Sequence, residues 1–167
     1  SYQMSLMYWR YFMWNFAGKQ NDIQGFGPGN ARDGNWISGI SPVDNLRLGN
    51  QDALPDSIKN NKAHNRLFFL PMILGILRAM YQYFADRRDF LVVGLLFFFT
   101  GIAIVLYLNQ AGNQPRERDY AYAASFYAFS IWIGLGLIPM INWFRKKLSD
   151  NISVIIVFGL TLVLVPG

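Results

Sequence analysis

Three observations predict an all-α membrane protein. The 167 residues are 53% hydrophobic and carry 17% aromatic side chains against 15% charged ones, a balance too apolar for an ordinary soluble domain. After residue 66 the apolar residues gather into runs on the scale of a bilayer. The cations collect in short connections between those runs, where a net charge of +5 reads as an orientation signal and not as a nucleic-acid patch. The same composition excludes disorder. With no cysteine there is no disulfide, thiolate zinc site or cysteine nucleophile, and a single histidine leaves no histidine metal cluster. Membrane lipid is the expected first partner, nucleic acid is not expected, no cofactor is expected, and a divalent metal is left open.

Residues 1–17 are aromatic and apolar around Arg10 and too short to span, so they predict an interfacial or buried helix. Residues 18–66 turn polar and rich in Gly, Pro and Asn, as a long irregular loop should be. Trp36, Ile37, Ile40, Val43, Leu46, Leu48 and Leu54 give that loop apolar anchors, which predicts order. Residues 67–167 are the transmembrane region. Spans are expected at about 67–84, interrupted only by Arg78 and Gln82, at 90–108 and 120–144, both uncharged, and at 152–166. Trp132, Trp143, Tyr120 and Tyr122 read as interfacial anchors of the third span. Small residues four apart, Ala121 with Ser125 and Ala124 with Ala128, predict its packing face. Because the sequence opens on Ser1 and closes inside an apolar run, it is expected to be an excerpt of a longer polypeptide.

Arg87, Arg88, Arg145, Lys146 and Lys147 crowd the two short connections, which the positive-inside rule holds in the cytoplasm. Residues 18–66 and 109–119 then face away from it, in a bacterium toward the periplasm. Gly25-Phe26-Gly27-Pro28-Gly29 reads as a plain turn, since Pro28 removes an amide that a phosphate loop would need. Asn151-Ile152-Ser153 matches a glycosylation acceptor on what would be the cytoplasmic side, and is discounted. Arg78 reads as a snorkelling side chain, and His64 as a capping or interfacial group.

Two constellations carry chemistry. Gln114-Pro115-Arg116-Glu117-Arg118-Asp119-Tyr120 presses four charges against the start of a span. These charges either end the membrane segment or, with Arg116 and Arg118 as a fork for a phosphate and Glu117 or Asp119 orienting it, bind a headgroup. The second set is Trp9, Arg10, Trp14, Asn15 and then Lys19 to Asp22. Aromatic faces with Asn, Gln and Asp suit a sugar or lipid headgroup, and equally a helix resting at an interface.

The strings Met7 to Asp22, Gly34-Asn35-Trp36-Ile37 and Gln114 to Tyr122 resemble a family of large bacterial multi-spanning membrane proteins, formerly a domain of unknown function. That family is similar to the eukaryotic transmembrane protein O-mannosyltransferases, of the GT-C type. The resemblance runs from about Tyr2 to Leu137. Members carry Arg where this chain has Lys19 and often Gly where it has Ala124. It implies transfer of a sugar from a polyprenyl-phosphate donor to a protein or glycan acceptor outside the cytoplasm, with the catalytic acid in an upstream loop that this sequence does not contain. The resemblance assigns the activity to no residue of this chain; the candidates for binding lipid phosphate or substrate remain those of the two constellations, Arg116, Arg118, Glu117, Asp119, Trp9, Arg10, Asn15 and Asp22. Competing expectations are a non-catalytic scaffold working with the rest of its own polypeptide or other membrane subunits, and a transporter, for which Arg78 is the one mid-span ionisable group.

Overall fold

The computed structural model describes residues 3–23, 32–109 and 118–164, and these are mostly helical. A π-helical stretch, Gln3–Trp9, runs directly into α1, Arg10–Phe16. The polar region holds β1 (Gly18–Lys19), α2 (Ser41–Leu48), a 3-10 turn at Gln51–Ala53, α3 (Asp56–Lys59) and β2 (Asn65–Arg66). The apolar region holds α4 (Leu70–Ala85), α5 (Arg87–Thr100), α6 (Ile102–Leu108), a 3-10 turn at Asp119–Tyr122, α7 (Ala123–Arg145) and α8 (Asp150–Leu164).

Local chemistry sets the helix ends. α4 starts three residues later than the apolar run, because Phe68 and Phe69 sit at φ 53° and 58°, outside the helical region, and Pro71 belongs in a first turn. Asp86 caps α5 by accepting from the amides of Arg88 (2.9 Å) and Asp89 (3.3 Å). Asn109 ends α6 in the left-handed conformation that Asn tolerates.

Two helical stretches are long and apolar enough to cross a membrane: Arg87–Leu108, 22 residues through α5 and α6, and Tyr120–Arg145, 26 residues. Only 11% and 28% of their most apolar windows are buried, whereas the core helix of a soluble protein hides most of such a surface. At 16 residues α4 reaches about 24 Å.

Both α4 and α5 pack on α7, and rings of the N-terminal helix meet those of Phe126 and Phe129 in the first half of α7. Aromatic rings fill that seam: Tyr8 meets Tyr122 edge-on at 5.8 Å, Phe12 meets Phe129 at 4.9 Å, and Phe16 meets Phe129 at 4.7 Å. Gly101, between α5 and α6, is where three segments converge. A Cβ there would lie 2.6 Å from Tyr8 Oη and 2.8 Å from Ser125 Cβ, so only glycine fits.

Several expectations about α7 are corrected. Tyr122 and Trp132 are buried in the bundle, and Trp132 Nε1 donates to Gln82 Oε1 (2.7 Å) across to α4; only Tyr120 and Trp143 are exposed. The indole and the amide satisfy each other away from water, which draws Trp132 inward. Ser125 and Ala128 are on the packed face with Phe129, Trp132 and Gly136, while Ala124 is exposed. At 3.6 residues per turn Ala124 lies about 120° around the helix from Gly136.

In the polar region β1 pairs antiparallel with β2, Gly18 opposite Arg66, and Lys19 bridges to Trp36. Gly18, at φ +148°, has the carbonyl oxygens of Asn65 and Ile37 each 2.8 Å from where a Cβ would be, which ties three backbones together. Three of the seven expected apolar anchors are not anchors, while Trp36, Leu48 and Leu54 are half-buried. Ile37 is buried, but Ile40 and Val43 are exposed and Leu46 is 91% exposed. Side-chain hydrogen bonds order this region together with the buried Ile37 and Ile58.

Candidate functional site

The N-terminal constellation is built on helix α1. Arg10 is buried, its guanidinium carbon 5.2 Å from the Tyr11 ring centre and 5.1 Å from that of Trp14. Lys19 Nζ, arriving from β1, is 4.1 Å from the same Trp14 ring. A desolvated cation over an aromatic face is strongly held, so Trp14 spends its face on the protein's own cations. Trp9 is half exposed and stacked on Phe12 at 5.7 Å. Asn15 is exposed and donates to the Tyr11 carbonyl of its own helix (2.8 Å), and Asp22 accepts from Asn61 Nδ2 (3.0 Å).

Of the second constellation, Arg116 and Glu117 lie outside the described residues. Arg118 is exposed, and Asp119 opens the 3-10 turn leading into α7. Among the described residues no side-chain bond joins Arg118 to Arg10 or Trp9. The structure nonetheless brings the elements that carry the two sets to one end of the helices. Gln3 Nε2 donates to Asn109 Oδ1 (2.8 Å), and Tyr8 Oη donates to Ser125 Oγ (3.2 Å), which in turn donates to the Tyr122 carbonyl (2.7 Å). Burial pushes the Tyr8 hydroxyl above its usual range, with the Ser125 bond pulling weakly the other way.

Sequence reasoning missed a third cluster, in the polar region. Asp44 is buried on α2 and accepts from the Ser38 amide (2.8 Å), the Ser38 hydroxyl (2.9 Å) and the Gly39 amide (2.8 Å). Asn21 is fully buried: its oxygen accepts from the amides of Gly34 (2.7 Å) and Ile23 (3.1 Å), and its Nδ2 donates to the Arg32 carbonyl (2.7 Å). His64 stands 3.0 Å from the Gln20 carbonyl through Nδ1 and 3.1 Å from Arg66 Nε through Nε2. An arginine Nε can only donate, so Nε2 accepts and the ring proton sits on Nδ1. Arg47 stacks on Trp36 at 3.7 Å and donates to its carbonyl. The spacing Ser41-Pro42-Val43-Asp44 is a helix-start signal that could have marked Asp44.

Arg78 is half buried between α4 and α7, 5.2 Å from the Tyr81 ring and beside Pro139. Among the described residues no three of His, Asp and Glu converge to hold a metal ion. No family model, curated protein or solved structure matches this chain.

Proposed function

We propose that this chain is part of an integral membrane protein of the glycosyltransferase type, moving a sugar from a polyprenyl-phosphate donor to a protein or glycan acceptor at the outer face of the bacterial cytoplasmic membrane. In this reading α4, α5 with α6, α7 and α8 cross the bilayer, and residues 18–66 and 109–119 face the periplasm. The observation that supports it is the meeting, at one end of apolar helices, of two of the three strings behind the family resemblance, through the edge-on contact of Tyr8 with Tyr122, flanked by the bonds of Tyr8 with Ser125 and Gln3 with Asn109. A lipid-linked donor needs that juxtaposition, with polar groups for its phosphate and sugar beside apolar helices for its tail.

The acceptor oxygen bonds the anomeric carbon as the carbon–oxygen bond to phosphate breaks. The acceptor proton passes to a carboxylate in the upstream part of the protein, and the lipid phosphate leaves with the electron pair. Arg116 and Arg118 stabilise that phosphate as a bidentate fork. A non-catalytic scaffold is the rival reading, favoured by the structural hydrogen bonds that engage Asp22 and Asp44. The test is transfer from a polyprenyl-phosphate sugar by the protein containing this chain, with Arg116→Lys and Arg118→Lys and with insertion checked in the same samples. A phosphate fork requires guanidinium geometry, so both variants should lose transfer. Wild-type transfer in both would remove the arginines from the site.

A further inference from the structure

A cavity of about 350 Å³ lies between α2, α3 and the β1–β2 pair. That volume is at the small end of ligand sites, suited to a monosaccharide-sized molecule and too small for a folded partner. Its polar walls use their hydrogen-bonding capacity unevenly. Gln20 is 2% exposed and engaged at both ends, donating to Gln51 Oε1 (2.7 Å) and accepting from Asn35 Nδ2 (3.2 Å). Asp44 already accepts from three donors, and both ring nitrogens of His64 are occupied.

Donors are what remain. Arg66, Asn45, Ser41 and Asn60 line this cavity, and the terminal nitrogens of Arg66, Nδ2 of Asn45, the hydroxyl of Ser41 and the side-chain amide of Asn60 have no partner among the described residues. The Arg66 guanidinium is also oriented in advance. Its Nε is fixed on His64, His64 is fixed on the Gln20 carbonyl, and the backbone of Arg66 is held in β2 opposite Gly18. An oriented guanidinium in a cavity that also holds spare N–H and O–H groups, where the Asp44 carboxylate of the lining already accepts from three donors, matches an oxyanion that carries hydroxyls.

We propose that this cavity binds a small anionic sugar, a sugar phosphate or sugar acid, with Arg66 as the anchor for the anionic group and Ser41, Asn45 and Asn60 on the hydroxyls. The proposal uses neither Arg116 nor Arg118, and it does not rest on glycosyl transfer. The test is a binding titration of the whole chain in lipid nanodiscs with mannose 1-phosphate, glucuronate, inorganic phosphate and uncharged methyl mannoside. Mannose 1-phosphate or glucuronate should bind saturably and at least about tenfold more tightly than methyl mannoside. Arg66→Met should weaken the charged sugar by about tenfold or more, while Lys62→Met, the same charge change outside the cavity, leaves it unchanged. Ser41→Ala should weaken the sugar phosphate and spare inorganic phosphate, a contrast that loss of folding would not produce. Equal affinity for methyl mannoside, unchanged affinity in Arg66→Met, or no saturable binding of either charged sugar to the wild type would each overturn the proposal.

Discussion

Phe129 and Asp44 are each 5% exposed, yet they hold their surroundings in opposite ways. Phe129, on α7, touches the rings of Phe12, Phe16, Phe97 and Trp132 at centroid distances of 4.7 to 6.2 Å and makes no directional bond through its side chain. Asp44, on α2, holds three donors from Ser38 and Gly39, while its neighbours Val43 and Leu46 point outward. The helices are organised by interlocking apolar shape, the polar region by satisfied lone pairs. The first kind of order degrades gradually with lost volume, and the second fails at once when an acceptor is removed.

Substitutions can break that contrast. The largest effect is expected for Phe129→Ala, at about 3–5 kcal/mol, since it empties the centre of the aromatic cluster. Unfolding in detergent by denaturant measures it, and Phe129→Leu should recover most of the loss. Asp44→Ala should cost about 3 kcal/mol, because three buried donors lose their acceptor, but the loss should stay local. Hydrogen exchange at the Ser38 and Gly39 amides should accelerate while the unfolding midpoint of the helices stays in place. A bundle that collapsed with Asp44→Ala would show the two regions to be one cooperative unit.

Gly101→Ala comes next, at about 1–3 kcal/mol, as its methyl would push against Tyr8 and Ser125. Pairing it with Tyr8→Phe should restore part of the stability, because the hydroxyl is the closest atom. Tyr8 also sharpens the comparison through pH. Its hydroxyl is held above the ordinary tyrosine value of about 10, so its contribution is complete below that pH and is lost as pH rises through the raised value. Alkaline titration should therefore loosen the N-terminal helix in the wild type more than in Tyr8→Phe. The smallest effect is expected for Leu46→Ser, within about 0.5 kcal/mol on thermal unfolding, at a position 91% exposed.

Legibility in the sequence follows the same divide. The apolar runs 67–84, 90–108, 120–144 and 152–166 fall on helices Leu70–Ala85, Arg87–Leu108, Ala123–Arg145 and Asp150–Leu164, because hydropathy and helix formation are both local. Small-residue spacing locates Ala121, Ser125 and Ala128 on the side that faces the bundle and misplaces Ala124, which is exposed. The glycine at 101 and the amide of Gln82 select that face, and both arrive from other helices. In the polar region the deciding contacts join residues far apart in the chain, Gly18 to Arg66, Gln20 to His64 and Asn21 to Gly34, and each uses a residue type common in any loop. The cavity at Arg66 was hidden for that reason. Trp9 and Arg10 stood out by composition, whereas Arg66 acquires its role only through the histidine that orients it.

Reading the apolar helices as lipid-embedded and the polar region as water-facing makes one demand that is independent of every energetic argument above. Residues 18–66 must lie on the opposite side of the membrane from the turn between α7 and α8. The sequence has no cysteine, and Ser57 and Ser149 are both exposed, so Ser57→Cys and Ser149→Cys can each be introduced singly. With a membrane-impermeant thiol reagent on sealed cells, Ser57→Cys should label and Ser149→Cys should stay protected until the membrane is opened. Labelling of both from the same face would contradict the membrane arrangement and the periplasmic placement of the candidate sites.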